Sequence, residues 1–92
     1  MAEILLKRNE FEKALNYSEI SLKIRMNLYG KNRLETGSSY GLIGECYKAL
    51  GEKSKALENL EKSYNICISL IGEEHTETKR IKHLLEQTKM VD

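Results

Sequence analysis

Between residues 53 and 71, apolar side chains return every three or four places: Ala56, Leu57, Leu60, Tyr64, Cys67, Ile68 and Ile71. A 3.6-residue period gathers these positions into one stripe, which predicts an amphipathic helix over 53–71. Residues 11–29 carry a matching stripe of Phe11, Ala14, Leu15, Ser18, Leu22, Met26 and Tyr29, and predict a second helix there. Gly30 and Gly72 follow the two stripes directly, where a left-handed C-terminal cap needs a residue without a Cβ. Between the two, residues 35–50 place Tyr40, Ile43, Tyr47 and Leu50 on one face, and Gly51 ends that helix. Gly37, Gly41 and Gly44 lie inside it, each costing about 1 kcal/mol relative to alanine. A neighbouring helix packed close against them would compensate, since a missing side chain lets two backbones approach. A final helix is expected over 77–91, with Ile81, Leu84, Leu85 and Thr88 inward. Thr76 is its expected N-cap, and Glu77 suits the positive end of its dipole. Residues 1–8 read as the end of an earlier helix.

The pattern repeats with a fixed step. Moving the chain by 42 places matches Ala14 with Ala56, Leu15 with Leu57, Glu19 with Glu61, Ile24 with Ile66, Leu28 with Leu70, Gly30 with Gly72 and Thr36 with Thr78. In all, 13 of the 50 superposed positions are identical, where this composition gives roughly three to five by chance. A period in this range is the signature of stacked helical units. Calling the two helices of a unit A and B, the chain reads as the end of an A helix (1–8), then B (11–29), A (35–50), B (53–71) and a terminal A (77–91). The short connections force neighbours to run antiparallel. The expected fold is all-α: a superhelix or solenoid of antiparallel helix pairs, about two repeats long, in a single 92-residue module. The half-helix start equally fits a piece of a longer array.

Composition removes several function classes. Fifteen Lys and Arg face fourteen Asp and Glu, a net charge of +1 with the signs interspersed. A nucleic-acid surface needs a basic excess on one face, so no nucleic-acid partner is expected. No apolar run reaches the roughly 18–20 residues that span a bilayer, and the start of the chain lacks a secretory signal pattern. Membrane insertion is therefore not expected, and a cytoplasmic location is. Cys46 and Cys67 are far apart and without CxxC or paired histidine, which suits buried apolar thiols in a reducing compartment.

At "SSYGLIGECYKALGEKSKALENLEKSYNI" the chain resembles a tetratricopeptide repeat, in the 42-residue variety found in kinesin light chain and nephrocystin-like proteins. Tyr40, Ile43, Gly44, Tyr47, Leu50, Gly51, Lys55, Ala56, Leu57 and Ile66 fall in register with that unit, and Gly72, Glu73, His75 and Thr78 echo its connecting segment. The resemblance implies a helical solenoid that binds other proteins along its concave side. Three positions depart from it. Thr76 stands where the family usually has proline. Gly41 and Leu42 replace an asparagine pair that hydrogen-bonds ligand backbone in family members, so that mode does not carry over. Glu86 and Lys89 occupy the places of a small glycine and a tyrosine, which suits a solvent-facing terminal cap.

Catalytic chemistry finds no footing. His75 and His83 lie eight residues apart and do not form a metal-binding pair of the HExxH type. Ser38 and Ser39 lack a neighbouring base, and the glycines of 37–44 lie in a helix rather than in a phosphate loop. No enzyme activity, cofactor or metal is expected. What remains is a binding surface. The A helices line the inner curve of such solenoids, so Ser38, Gly41, Leu42, Glu45 and Lys48 are expected to face a groove. Arg80, His83, Leu84, Gln87 and Met90 continue it. Ser38, Leu42, Glu45, Lys48, Arg80, His83 and Gln87 are the candidate peptide-binding residues, with Arg80 placed to meet an acidic group. Self-association is the alternative, because Leu5, Leu6 and Phe11 have no preceding helix to cover them.

Overall fold

The structure, a computed structural model, describes residues 2–30 and 33–90, with side-chain surroundings from residue 8 onward. The described residues form four helices and no strand: α1 (Ala2–Tyr29), α2 (Leu34–Ala49), α3 (Lys53–Ile71) and α4 (Thr76–Met90). The expected helices over 35–50, 53–71 and 77–91 appear within one residue of those bounds, apart from residue 91, which lies outside the described residues. The expected break after residue 8 does not occur. Arg8, Asn9 and Glu10 include no glycine or proline, and an Arg8–Glu12 ion pair at 3.3 Å spans the place where it was expected. The end of an A helix and the first B helix are thus one rod. At about 1.5 Å per residue its 28 residues reach the 42 Å of the longest dimension.

The helix ends follow local chemistry. Gly30 and Gly72 donate to the carbonyls of Met26 and Ile68 at 3.0 and 3.1 Å. Both have positive φ, 84° and 80°, and Gly72 adds a ψ of 170°, a region open essentially to glycine alone. Thr36 closes the first connection by donating its hydroxyl to the Gly30 carbonyl at 2.8 Å. At the start of α4 the cap is His75, not Thr76 as expected. His75 Nδ1 accepts from the Glu77 amide at 3.1 Å, while its carbonyl accepts from Lys79 at 3.0 Å. Thr76 is instead the first helical residue, and the imidazole does what a serine or threonine cap would do.

The core is built around α3, which packs against both α2 and α4. Ala56, Leu60 and Ser63 are fully buried, Cys67 nearly so. The glycines of α2 explain this contact. A Cβ at Gly44 would lie 2.6 Å from Leu60 Cγ, and one at Gly37 would lie 2.9 Å from Ile66 Cγ2. Side chains of α3 therefore occupy the volume that α2 leaves empty, as the close-packing expectation required. Gly41 completes the row: its missing Cβ would stand 3.0 Å from Ile81 Cδ1 and 3.1 Å from Ser63 Oγ, where α2, α3 and α4 meet. From α4, Thr78, Ile81, Leu85 and Thr88 are buried, and Thr88 donates back to the Leu84 carbonyl at 2.7 Å. Leu84 itself is only half-buried.

Contact between α1 and α2 is of a different kind. Leu15, Ser18, Leu22 and Met26 of its predicted stripe are half-buried, whereas Phe11, Ala14 and Tyr29 are exposed. Arg25 does much of the fastening: its Nη1 donates to the Glu35 carbonyl at 3.0 Å and to Ser39 Oγ at 2.8 Å.

Candidate functional site

Helices α2 and α4 are both A helices, and α3 sets them side by side. At 100° per residue, Ser38, Leu42 and Glu45 share one face of α2, and Arg80 and Gln87 share one face of α4. Two side-chain links join the faces. Arg80 Nη1 donates to Glu45 Oε1, and Lys48 Nζ donates to Gln87 Oε1 at 3.2 Å. Glu45, Lys48, Arg80 and Gln87 thus form one continuous strip. Leu42 adds an apolar step to it, 48% exposed, while Ser38 is half-buried. His83 lies exposed on α4 between Arg80 and Gln87. Gly41 does not belong to the strip as expected. It is buried beneath Ser63 and Ile81, because its lack of a side chain serves helix packing.

Of the strip's charges, Arg80 is matched by Glu45 within it, while Lys48 meets the neutral Gln87 amide. Arg80 also donates from Nη2 to Glu77 Oε1 at 2.9 Å. Hydrogen bonds to Glu77, then to Glu45, raise its pKa further above the ordinary guanidinium range, so it stays charged at any working pH. An acidic partner would have to compete with two carboxylates for this guanidinium. The strip therefore offers, beside Lys48, an apolar leucine and several hydrogen-bonding groups rather than a bare guanidinium.

Neither thiol belongs to a reactive site. Cys46 and Cys67 are free and buried, and burial pushes both thiols above their ordinary pKa, with Glu45 adding to the effect at Cys46 and Glu77 at Cys67. Among the described residues no group of three or more His, Cys, Asp or Glu is arranged to hold a metal ion, and no helix is long and apolar enough to cross a membrane.

On the opposite side of the molecule the sequence puts Tyr40 and Tyr47 on the packing face of α2 but does not show what they meet. Tyr40 and Tyr47 point away from the strip and fill the space between α1 and α3. Tyr40 Oη is 4.0 Å from Met26 Sδ, and Tyr47 Oη donates to Glu19 Oε1 at 3.4 Å. Lys62 and Lys55 of α3 stand 5.4 and 5.5 Å from the two ring centres. Burial, with Glu19 next, raises the Tyr47 pKa. The 42-residue step was a usable signal for the corresponding place between α3 and α4, since it puts Lys82 and Lys89 where Tyr40 and Tyr47 stand.

A family model described as tetratricopeptide repeat matches residues 1–69. Among curated proteins, the chain is similar to a human clustered mitochondria protein homolog, 26% identical over 77 residues, which cover 84% of this chain and 6% of that protein. It is similar to protein clueless of Drosophila persimilis, 30% identical over 63 residues covering 68% of this chain and 4% of the relative. A clustered mitochondria protein homolog of Brugia malayi is 28% identical over 88 residues, 91% of this chain and 6% of its own length. The chain thus spans about a twentieth of the length of these relatives. No solved structure matches it.

Proposed function

Because the chain belongs to the tetratricopeptide repeat family, whose members are in general protein-interaction modules, we propose that it is a non-catalytic, cytoplasmic scaffold. On this reading it holds a peptide segment of a partner protein along the strip formed by α2 and α4. The observation that carries the reading is the pair of links from Arg80 to Glu45 and from Lys48 to Gln87. They turn two helices into one surface, with Leu42 exposed one turn before Glu45. The 42-residue step favours the kinesin light chain-like variety of the repeat. The relatives are called clustered mitochondria proteins and clueless, and we take the chain to act in the same way as the matching segment of such proteins.

A peptide array probed with the purified chain tests the reading. Saturable binding is expected, reduced at least about tenfold by Leu42→Arg combined with His83→Ala, a loss of about 1.4 kcal/mol, with the melting curve unchanged. Absence of any saturable binder, or indifference of binding to these substitutions, would overturn it.

A second reading, self-association, has its own observation. Tyr17, Ile20, Ile24 and Leu28 form an exposed stripe along α1, between 49% and 76% accessible. Phe11 is 39% accessible, while the side chains of Leu5 and Leu6 lie outside the described residues. Sedimentation that returned a monomer over a wide concentration range would remove this reading.

A further inference from the structure

On the side of α4 opposite Arg80 and Gln87, a groove of about 310 Å³ opens between α3 and α4. Its floor is Leu85, buried, and Tyr64, half-buried. Glu61 and Asn65 rim it from α3, and Lys82, Glu86 and Lys89 from α4. Such a volume is at the lower bound of small-molecule sites, which suits one side chain better than a whole ligand.

The internal repeat identifies what this groove is shaped for. Subtracting 42 turns Glu61, Leu85, Lys82 and Lys89 into Glu19, Ile43, Tyr40 and Tyr47. In that earlier unit two tyrosine rings fill the crevice, each with a lysine ammonium within 5.5 Å of its centre, and the phenol of one donates to Glu19. In the later unit the apolar floor and the carboxylate remain but the rings do not. Lysines now stand at the ring positions. Glu86 takes the place of Gly44, where even a Cβ would lie 2.6 Å from Leu60, so a helix with a leucine at that place does not fit over α4 as α3 fits over α2. A single side chain has no such obstacle.

We propose that this groove is a docking site for a tyrosine side chain presented by a partner protein. The ring lies on Leu85 and Tyr64 beneath the Lys82 and Lys89 ammonium groups, and the phenol donates to Glu61, as that of Tyr47 does to Glu19. The site is independent of the α2–α4 strip, so either can fail without the other.

Titration of the full 92-residue chain with N-acetyl-tyrosinamide, followed by amide chemical shifts, tests the proposal. Saturable shifts are expected at Glu61, Asn65 and Lys89, smaller ones with the phenylalanine analogue, and none with the leucine analogue. Lys89→Tyr restores the ring of the earlier unit; it should abolish the shifts and raise the melting temperature. Should that variant fail to fold, Glu61→Gln decides, since it should weaken the tyrosine probe and leave the phenylalanine probe unchanged. Shifts centred elsewhere, equal shifts with the leucine probe, or shifts that survive Lys89→Tyr would overturn the proposal. So would concentration-dependent shifts at Glu61, Asn65 and Lys89 without any probe, which would seat a second copy in the groove.

Discussion

Helices α1 and α3 hold the same place in successive repeats, and matched positions lie 42 residues apart, yet their surroundings differ sharply. Along α3, Ala56, Leu60, Ser63 and Cys67 are between 0 and 1% exposed. Their counterparts in α1, Ala14, Ser18, Ser21 and Arg25, are all exposed or half-buried. Ile66 sits against Gly37, whereas its counterpart Ile24 is 54% exposed. Sequence register therefore assigns a helix its stripe, but burial depends on how many neighbours the helix has. Among the described residues α3 is flanked by two A helices and α1 by one. The substitution pattern adapts to this: where α3 uses Leu60 and Cys67 to fill space, α1 uses Ser18 and a hydrogen-bonding Arg25.

The contrast can be broken most severely at its closed end. Leu60→Ala empties a fully buried position and is expected to cost about 2–5 kcal/mol of unfolding free energy by urea titration. Gly44→Ala pushes a methyl into Leu60, and overpacking of up to about 3 kcal/mol, offset by about 1 kcal/mol of helix propensity, leaves a loss of up to about 2 kcal/mol. At the open end, Arg25→Ala removes two hydrogen bonds to α2 and should cost about 1 kcal/mol. Its effect should appear in amide exchange as faster opening of α1, with α3 and α4 protected as before. Ile24→Ser should change stability by less than about 0.5 kcal/mol, the range of an exposed position. If it costs as much as a buried isoleucine, the face of α1 is covered in solution and the comparison fails.

The helical periodicity makes three of the four helices legible, and the glycine row of α2 signals the close approach of α3. The break expected after residue 8 is absent because a repeat boundary need not interrupt a helix when Arg8 and Glu10 favour helix. His75 belongs by sequence to the connecting segment, and its capping role carries no sequence signal, since imidazole is an unusual N-cap and only the short approach to the Glu77 amide reveals it. The members of the strip were inferred from helix geometry. That Arg80 has a second carboxylate partner is invisible in the sequence, because i,i+3 spacing points only to Glu77 and Glu45 lies 35 residues away. The buried hydroxyl of Thr78, which finds no hydrogen-bond partner among the described residues, gives no sequence signal either.

The interlock of Gly44 with Leu60 also bears on the order of events in refolding. It joins two helices separated by only residues 50–52, so little chain entropy opposes its formation, and local contacts of this kind tend to form early. The α2–α3 hairpin is then the natural nucleus. In stopped-flow experiments Leu60→Ala should act mainly by slowing the folding arm, whereas Arg25→Ala should leave that arm alone and steepen escape from the native state.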